Sequence, residues 1–298
     1  MTIYDLCLTW NWEHDSGFAL LLEKACMLQG LSFLQVTPNN IEDLLQSLRN
    51  QQVLFHVLLD RASDSDSRFL PLIQWADEHN CYCINPYQKT IRACDKASMH
   101  LDFITAGLQT PYTIILPSFQ EQPVLSSIDL QVLGEQFTVK PAHGSGGEGV
   151  VLEANSLSQV FSARQKFPAD KYLLQTRVIP RELDYRPAWF RVIYCVGKVY
   201  PCWWNPGTHI YIPVTEMEEG RYGIHALHDV TVAIANLTGL DIFSTEIAFT
   251  LDGLFVVVDY VNDQLDLRLQ SKELTGVPDD IVKTIVLTLV EFVSAYGK

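Results

Sequence analysis

The sequence predicts an α/β protein that opens with a doubly wound βαβ lobe over residues 1–92. Three patterns carry this prediction. Short apolar runs alternate with amphipathic stretches through the first 90 residues, which is typical of parallel strands joined by helices. Further along, a glycine-rich loop follows an apolar run at Lys140, and the pair Asp252-Gly253 separates two more apolar runs. The later part of the chain is therefore expected to contain strand–turn–strand units.

The N-terminal lobe is predicted from its apolar periodicity. Strands are expected at residues 3–9, 32–36, 53–59 and 82–84, and helices at residues 17–29, 41–50 and 69–78. Ser16 is the expected cap of the first helix, and Gly30 is its expected stop signal. Ligands of such a lobe lie at the carboxyl ends of its strands. At one such end, Trp10 and Trp12 either contact substrate or pack against a neighbouring lobe.

The segment from Phe137 to Leu152 is the most informative part of the chain. An apolar run ends at Lys140, four glycines follow within six residues, and a β-branched run begins at Val150. This pattern predicts a strand, a flexible loop and a second strand. Because glycines lack a Cβ, backbone N–H groups can close around a phosphate, and the lysine supplies a positive charge for the same group.

Three known phosphate-binding motifs compete for this loop. A Walker A loop requires its lysine after the glycines, but Lys140 precedes them. The pattern G-x-G-x-x-G matches at Gly144, Gly146 and Gly149, yet in dinucleotide-binding folds it opens a helix, and here Val150 continues a strand. The protein-kinase loop also matches, but the chain lacks the other kinase motifs. A glycine flap over nucleotide phosphates remains, with an ordinary glycine-rich hairpin as the alternative.

A pair of carboxylates near the C-terminus favours the nucleotide interpretation. With Asp252-Gly253 as a two-residue turn, Leu251 pairs with Leu254. Counting outward, Glu246 falls opposite Asp259. Opposed side chains on one sheet face lie about 4.5–5.5 Å apart at Cβ, and like charges there repel. Two carboxylates among apolar neighbours therefore need a cation, and their oxygens suit a Mg²⁺ ion that also binds substrate phosphates. The alternative is a solvated strand end.

A lysine-bearing glycine flap followed by a carboxylate hairpin resembles the ATP-grasp superfamily, of the carboxylate–amine ligase type. The pattern is similar to that of D-alanine–D-alanine ligase and glutathione synthetase-like enzymes. The resemblance implies a two-lobed α+β ATP-grasp domain at residues 93–298, behind a pre-ATP-grasp lobe at residues 1–92. Residues 93–172 would form the small lobe with the glycine flap, and residues 173–298 the large lobe with the metal site.

The resemblance also implies nucleotide contacts at the flap and at the hinge between the lobes. Asp95-Lys96, expected in a helix, looks like the family's phosphate-binding lysine and its neighbour. Backbone groups at Arg177 and Val178 would meet adenine, and Glu182 would bind the ribose hydroxyls. The implied nucleotide-binding residues are Lys96, Lys140, His143, Gly144, Ser145, Gly146, Gly147, Gly149, Gln175, Arg177, Val178 and Glu182.

The implied metal ligands are Glu246, Asp259 and Asn262. The family has an acid, one residue and then an asparagine, whereas here Asn262 follows Asp259 one residue late. In a regular strand an offset of three places two side chains on opposite faces, so a bulge or bend is needed to bring Asn262 to the metal. Otherwise Asp263 serves in its place, or the second metal site is altered.

Three arginines are the expected catalytic residues. With Gly197-Lys198 as a hairpin turn, Arg191 lies opposite Trp204, and a guanidinium among aromatic neighbours favours an anionic partner. The resemblance implies that Arg191 helps hold the transferring phosphate or the acyl phosphate. Arg186 resembles the family's acid-x-Arg pattern, with a surface ion pair as the alternative. Arg268 is a further candidate clamp for an anion.

The activity implied by the resemblance is the ATP-dependent activation of a carboxylate as an acyl phosphate, followed by attack of an amine or a thiol. Mg²⁺ is the expected metal, with Mn²⁺ as the alternative. The expected substrates are a small carboxylate and an amine of amino-acid type, and the superfamily suggests a homodimer. A phosphotransferase acting on a hydroxyl, and a nucleotide-binding module without chemistry, remain alternatives.

Composition indicates a protein of the cytoplasm. The net charge is −14 and no Lys/Arg run occurs, which argues against nucleic-acid and anionic-membrane partners. The start of the chain lacks a basic signal-peptide region, and no apolar run approaches the ~20 residues of a membrane span. The seven cysteines are scattered, in keeping with a reducing compartment.

Overall fold

The first four strands form one parallel sheet. A computed structural model of the protein describes residues 1–125, 128–144 and 146–296. The strands are β1 (Thr2–Trp10), β2 (Phe33–Val36), β3 (Val53–Arg61) and β4 (Tyr82–Ile84), in the order β2-β1-β3-β4. The connecting helices are α1 (Ser16–Leu28), α2 (Ile41–Arg49) and α3 (Leu70–Glu78). Leu6 and Leu8 pack with α1, whereas Cys7 packs with α2 and α3, so both faces are covered and the doubly wound prediction is confirmed.

Two helices lead from this sheet to a second one. Helix α4 (Tyr87–Cys94) ends before Asp95, whose carboxylate accepts hydrogen bonds from the backbone of Ala97 and Ser98 at the start of α5 (Lys96–Thr105). The prediction that Asp95 lies within a helix is therefore wrong, because this residue caps a helix that begins at Lys96.

The second sheet has four antiparallel strands in the order β5-β8-β6-β7. Its strands are β5 (Thr113–Leu116), β6 (Phe137–Pro141), β7 (Val151–Ala154) and β8 (Tyr172–Thr176), with α6 (Leu157–Lys166) between the last two. The predicted strand–loop–strand around the glycines corresponds to β6 and β7, and Lys140 lies near the end of β6.

The third sheet has five antiparallel strands and carries the acidic hairpin. A short separate hairpin, β9 (Glu182–Leu183) and β10 (Arg186–Pro187), precedes it. The strands are β11 (Trp189–Cys195), β12 (Lys198–Asn205), β13 (Ile210–Pro213), β14 (Ile242–Phe249) and β15 (Phe255–Asn262), in the order β13-β12-β11-β14-β15. Helices α7 (Glu216–Tyr222) and α8 (Ala226–Thr238) connect β13 to β14.

Side chains of the third sheet alternate between two cores. Phe190 and Phe243 pack with α8, whereas Ile193 and Ile242 pack with α1 and the C-terminal helix α9 (Asp279–Tyr296). The core of the N-terminal lobe therefore continues into the sheet that bears the acids. Of the helices in the described ranges, none combines the length and the apolar character that crossing a membrane requires.

The turn between β11 and β12 differs from its prediction. Cys195 pairs with Lys198, so the turn consists of Val196 and Gly197, and Arg191 lies opposite Cys202. The prediction that Arg191 lies opposite Trp204 is therefore wrong by two residues. Both turn residues have positive φ values, 44° and 83°, which is the twist that two-residue hairpins favour.

A buried ion pair joins the N-terminal lobe to the chain that follows β15. Arg61, at the end of β3, donates to both carboxylate oxygens of Asp15 at 2.9 and 2.8 Å, and also to the backbone oxygen of Leu265 at 3.0 Å. The predicted cap of α1 is wrong for the same region, because Ser16 is the first helical residue and Asp15, which precedes it, has its carboxylate engaged by Arg61 rather than by helix N–H groups.

We expect Asp15→Ala to destabilise the protein by about 3–5 kcal/mol, because it leaves the buried Arg61 guanidinium without its counter-charge. Urea unfolding measures this change. The matched control is Glu291→Ala, which breaks an exposed pair with Lys198 and should leave the free energy of unfolding close to that of wild type. Equal losses in the two variants would contradict the role given to the Arg61–Asp15 pair.

Candidate active site

Glu246 and Asp259 lie opposite each other on strands β14 and β15. The turn that leads to them is one residue longer than predicted, because Thr250 bonds to Leu254 and leaves three residues in the loop. The predicted pairing of Leu251 with Leu254 is therefore wrong. A bulge at Val258 then adds one residue to β15 and restores the predicted opposition of the two acids.

A second bulge brings Asn262 to the same face as the two acids. Ser244 pairs with Asn262 and Glu246 pairs with Asp259, so β15 has one extra residue between these pairs. Because Ser244 and Glu246 are two apart on a strand, their partners face the same side. Asp263 points elsewhere: its carboxylate accepts a hydrogen bond from the Cys94 thiol at 3.1 Å.

The two acids differ in their partners. Glu246 accepts hydrogen bonds from the Arg191 guanidinium and the Trp189 indole, each at 3.3 Å. Burial raises the pKa of the Glu246 carboxyl, Arg191 opposes this shift, and the charge of Asp259 adds to it. Within the described part of the chain, no side chain hydrogen-bonds to the carboxylate of Asp259. Asp259 is therefore the acid of the pair whose carboxylate stays available for a further ligand.

Lys140 is a buried cation beside these acids. Its side chain is 7% exposed, its ammonium donates to the backbone oxygen of Val258 at 3.0 Å, and it lies 5.1 Å from the centre of the Tyr260 ring. Burial lowers the pKa of Lys140 to about 8, although the charge of Asp259 acts in the opposite direction. The lysine therefore carries its charge at neutral pH but holds the proton weakly.

The glycine loop connects to the helix that carries Lys96. The Lys96 ammonium donates to the backbone oxygen of Gly144 at 2.6 Å. His143 is held by Asp170, which accepts hydrogen bonds from its backbone N–H at 2.8 Å and pairs with its ring at 2.9 Å. Positive φ values occur at Gly144, Gly146, Gly147 and Gly149. Ser145, also expected to bind nucleotide, lies outside the described residues.

The hinge residues occupy two kinds of position. Gln175 is buried, and its amide donates to the Thr113 and Tyr260 hydroxyls at 3.0 and 2.8 Å. The exposed Arg177 donates to Gln136 at 3.1 Å, Val178 is half-buried, and Glu182 is exposed on β9. Among the described residues, no backbone–backbone hydrogen bond engages Arg177 or Val178, which leaves their backbone groups open to a ligand.

The three arginines do not converge on one point. Arg191 stacks over Trp204 at 4.9 Å and donates to Glu246, so it belongs to the acidic face. Arg186 stacks over Trp203 at 4.7 Å and lies 3.8 Å from Glu218. Arg268 donates two nitrogens to Asp266 and lies 5.3 Å from the Trp12 ring, so its charge already has a partner.

Trp189, Ser244 and Tyr260 also belong to this site, although they are not among the residues predicted from the sequence. Trp189 and Ser244 are each two residues from Arg191 or Glu246 on their strands, so strand alternation alone would have placed them on the same face. Tyr260 follows Asp259 directly and faces the other way. Its contacts lie far away in the sequence, and no local pattern indicates them.

The donor set suits a hard divalent cation that is also bound by phosphate. Within residues 1–125, 128–144 and 146–296, no three His, Cys, Asp or Glu side chains form a metal-binding group. Two opposed carboxylates and an amide provide three oxygen ligands, and Mg²⁺ commonly takes one or two carboxylates and completes its shell with water and substrate phosphate. The carboxylate of Asp259, to which no side chain of the described residues donates a hydrogen bond, fits such an ion.

Comparison with known proteins identifies the fold. No protein-family model matches the chain, and a search of curated protein sequences finds no match. A RimK domain ATP-grasp protein from Sphaerobacter thermophilus matches with a TM-score of 0.65 at 16% identity, covering 96% of this chain and 98% of that one. The chain has the ATP-grasp fold.

Two further structures with this fold match as well. D-alanine–D-alanine ligase from Bacillus anthracis, complexed with ATP, matches with a TM-score of 0.63 at 12% identity, and 99% of each chain is covered. The ATP-grasp ligase PsnB, complexed with minimal precursor, Mg and ADP, matches with a TM-score of 0.61 at 11% identity. The match covers 95% of this chain and 98% of that one. Because these matches cover at least 95% of this chain, the likeness in fold includes the N-terminal lobe.

We expect the pH dependence of stability to reveal the buried charge of Lys140. Its pKa is lower in the folded state, about 8, than the usual value of about 10.4, so above pH 8 the unfolded chain holds the proton more tightly. Wild type should therefore gain on the order of 3 kcal/mol relative to Lys140→Met as the pH rises from 8 to 10.5. Urea unfolding across this range measures the difference, and a constant difference would contradict the assignment. Lys171→Met, at an exposed lysine, is the control.

Within the glycine loop between β6 and β7, Gly149 has a steric role that Gly147 lacks. Both have left-handed φ values, 75° and 76°, but a Cβ at Gly149 would lie 2.5 Å from the Phe167 ring, whereas at Gly147 it would meet no described atom within 4 Å. We expect Gly149→Ala to cost about 1–3 kcal/mol more than Gly147→Ala. Unfolding midpoints test this, and equal costs would show that Phe167 moves aside freely.

Proposed function

We propose that this protein is an ATP-dependent, ADP-forming ligase that activates a carboxylate as an acyl phosphate and joins it to an amine or a thiol. One observation carries the proposal: two opposed carboxylates, Glu246 and Asp259, share a sheet face with Asn262 and lie near the buried Lys140. This arrangement suits a divalent cation bound together with a polyphosphate, and it belongs to a chain with the ATP-grasp fold.

The proposed reaction has two steps. A carboxylate oxygen of the first substrate bonds to the γ-phosphorus of ATP while the bond from that phosphorus to ADP breaks. The nitrogen of the amine then bonds to the acyl carbon, inorganic phosphate leaves with the electron pair, and the nitrogen loses a proton. Catalysis of such transfers consists mainly of positioning and charge neutralisation. No covalent nucleophile from the protein is needed.

The chain's own residues supply those functions. Lys96 and Lys140 neutralise phosphate charge, and Arg191 holds the transferring phosphate or the acyl phosphate against Trp204. Glu246, Asp259 and Asn262 hold the metal, which would neutralise charge on the phosphate oxygens. The glycine flap excludes water from the acyl phosphate. Arg186 and Arg268 bind substrate at the edge of the site, after release from Glu218 and Asp266 respectively.

The structural neighbours support ATP and Mg²⁺ as the ligands. D-alanine–D-alanine ligase from Bacillus anthracis is complexed with ATP, and PsnB is complexed with Mg and ADP. Oxygen ligands of this kind also accept Mn²⁺. The net charge of −14 favours small substrates over nucleic acid, and a carboxylate and an amine of amino-acid type fit the arginine-bearing face.

The test is Mg²⁺-dependent release of ADP in the presence of a panel of small carboxylates and amines. We expect wild type to release ADP only when both substrate types are present. Asp259→Ala should reduce the rate at least ~100-fold, equivalent to about 3 kcal/mol of lost charge stabilisation. The control is Asp252→Ala, an exposed acid in the turn of the same hairpin, which should keep the wild-type rate.

Other outcomes distinguish the alternatives. ADP release with a hydroxyl acceptor, together with a stable phosphate ester, would identify a phosphotransferase. Nucleotide binding without turnover by any member of the panel would favour a binding module. An unchanged rate in Asp259→Ala would refute the proposed metal site.

A further inference from the structure

The two bulges of β15 leave Asp259 between two irregular backbone positions. Val258 is the extra residue on one side of it, and the second extra residue lies between Asp259 and Asn262. A slip of one residue in a strand moves its side chains to the opposite face. The placement of Asp259 and Asn262 together therefore depends on contacts that hold these bulges in position.

The bulge at Val258 is held by groups already described. Lys140 donates to the backbone oxygen of Val258 at 3.0 Å, which satisfies an acceptor that the irregular ladder leaves open. The Thr245 hydroxyl donates to the backbone oxygen of Asp259 at 3.0 Å. These contacts fix one side of Asp259.

Tyr260 holds the other side through a fully buried polar network. Its hydroxyl lies 2.8 Å from the Gln175 amide nitrogen, which donates to it, and 2.6 Å from Nδ1 of His100. The hydroxyl therefore accepts one hydrogen bond from the Gln175 amide and shares a second with His100 Nδ1. Burial, and to a smaller extent the charge of Lys140, lower the pKa of His100 to about 4, so the ring is neutral at pH 7 and adds no charge to the network.

The network joins three parts of the chain at the site. His100 lies one turn after Lys96 on α5, Gln175 lies on β8, and Tyr260 lies on β15. The Tyr260 ring also lies beneath the Lys140 ammonium, 5.1 Å away. Moving Tyr260 would therefore shift Lys140 and the second bulge at the same time.

We propose that Tyr260, anchored by His100 and Gln175, is a positioning residue that holds the second bulge of β15 and so keeps Asn262 beside Asp259 for metal binding. This inference rests on the proposed function, because it assumes that these residues bind Mg²⁺ with the nucleotide. Tyr260 would act through the backbone of its strand and through Lys140, which lies over its ring.

The experiment measures ADP binding by calorimetry with and without MgCl₂, and takes the ratio of the two dissociation constants as the magnesium enhancement. Tyr260→Phe keeps the ring beneath Lys140 but removes the hydroxyl, and should reduce the enhancement about tenfold. Tyr172→Phe is the matched control, because Tyr172 is equally buried and its hydroxyl bonds to the backbone oxygen of Ala163, away from the acids. It should keep the wild-type enhancement.

Two variants of His100 test the network independently of Tyr260. His100→Asn places an amide, which can donate or accept, near the position of Nδ1 and should retain the enhancement, whereas His100→Leu removes the hydrogen-bond partner of Tyr260 and should reduce it as Tyr260→Phe does. The double variant Tyr260→Phe/His100→Leu should lose no more than either single variant, because both break one chain of hydrogen bonds.

Asp259→Ala distinguishes a failure of the positioning role of Tyr260 from a failure of the proposed metal site. If it abolishes the enhancement while Tyr260→Phe and His100→Leu bind like wild type, the positioning role is refuted and the proposed metal site stands. If Asp259→Ala itself keeps the enhancement, the metal site fails and the inference fails with it. A loss in Tyr172→Phe as large as that in Tyr260→Phe would show a general effect of buried hydroxyls and would also overturn the inference.

Discussion

The repulsion between the opposed carboxylates of Glu246 and Asp259 is the constraint on which the rest of the site depends. Burial raises the pKa of the Glu246 carboxyl, and the nearby charge of Asp259 adds to this shift. Arg191 balances Glu246 at 3.3 Å, but it does so from the same sheet and leaves Asp259 without a side-chain partner in the described structure. A divalent cation bound with phosphate would supply the missing charge.

Lys140 is the buried positive charge beside these carboxylates, and its burial is costly as well. An ammonium this deeply buried is costly, and its pKa of about 8 reflects that cost. Phosphate charge would favour the protonated form, so nucleotide binding and proton retention are linked at this residue. The lysine also holds the bulge at Val258, and its charge and its hydrogen bond therefore serve one purpose, the placement of Asp259 opposite Glu246.

Much of the fold and part of the site could be predicted because strand alternation tolerates errors in the turns. The loop after Thr250 is one residue longer than predicted, and the bulge at Val258 offsets it, so Glu246 still lies opposite Asp259. For Arg191 the predicted register was wrong by two residues, an even number, so the residue stays on the face of Trp204 and stacks on it. The sequence thus predicts the sheet face on which a residue lies more securely than it predicts the residue's cross-strand partner.

The position of Asn262 could not be predicted, because it depends on contacts between distant parts of the chain. From the sequence, its displacement by one residue relative to the family pattern leaves an altered second metal site as one of the alternatives. The additional residue in β15 lies beside or at Tyr260, whose ring faces the opposite core and whose hydroxyl reaches His100, 160 residues earlier. A strand that contains an extra residue keeps its register only if that region is anchored. One extra residue separates Asn262 from Asp259 in the sequence. It lies in the same part of β15 as Tyr260, whose contact with His100 anchors the strand. The anchored bulge therefore places Asn262 and Asp259 on the same face.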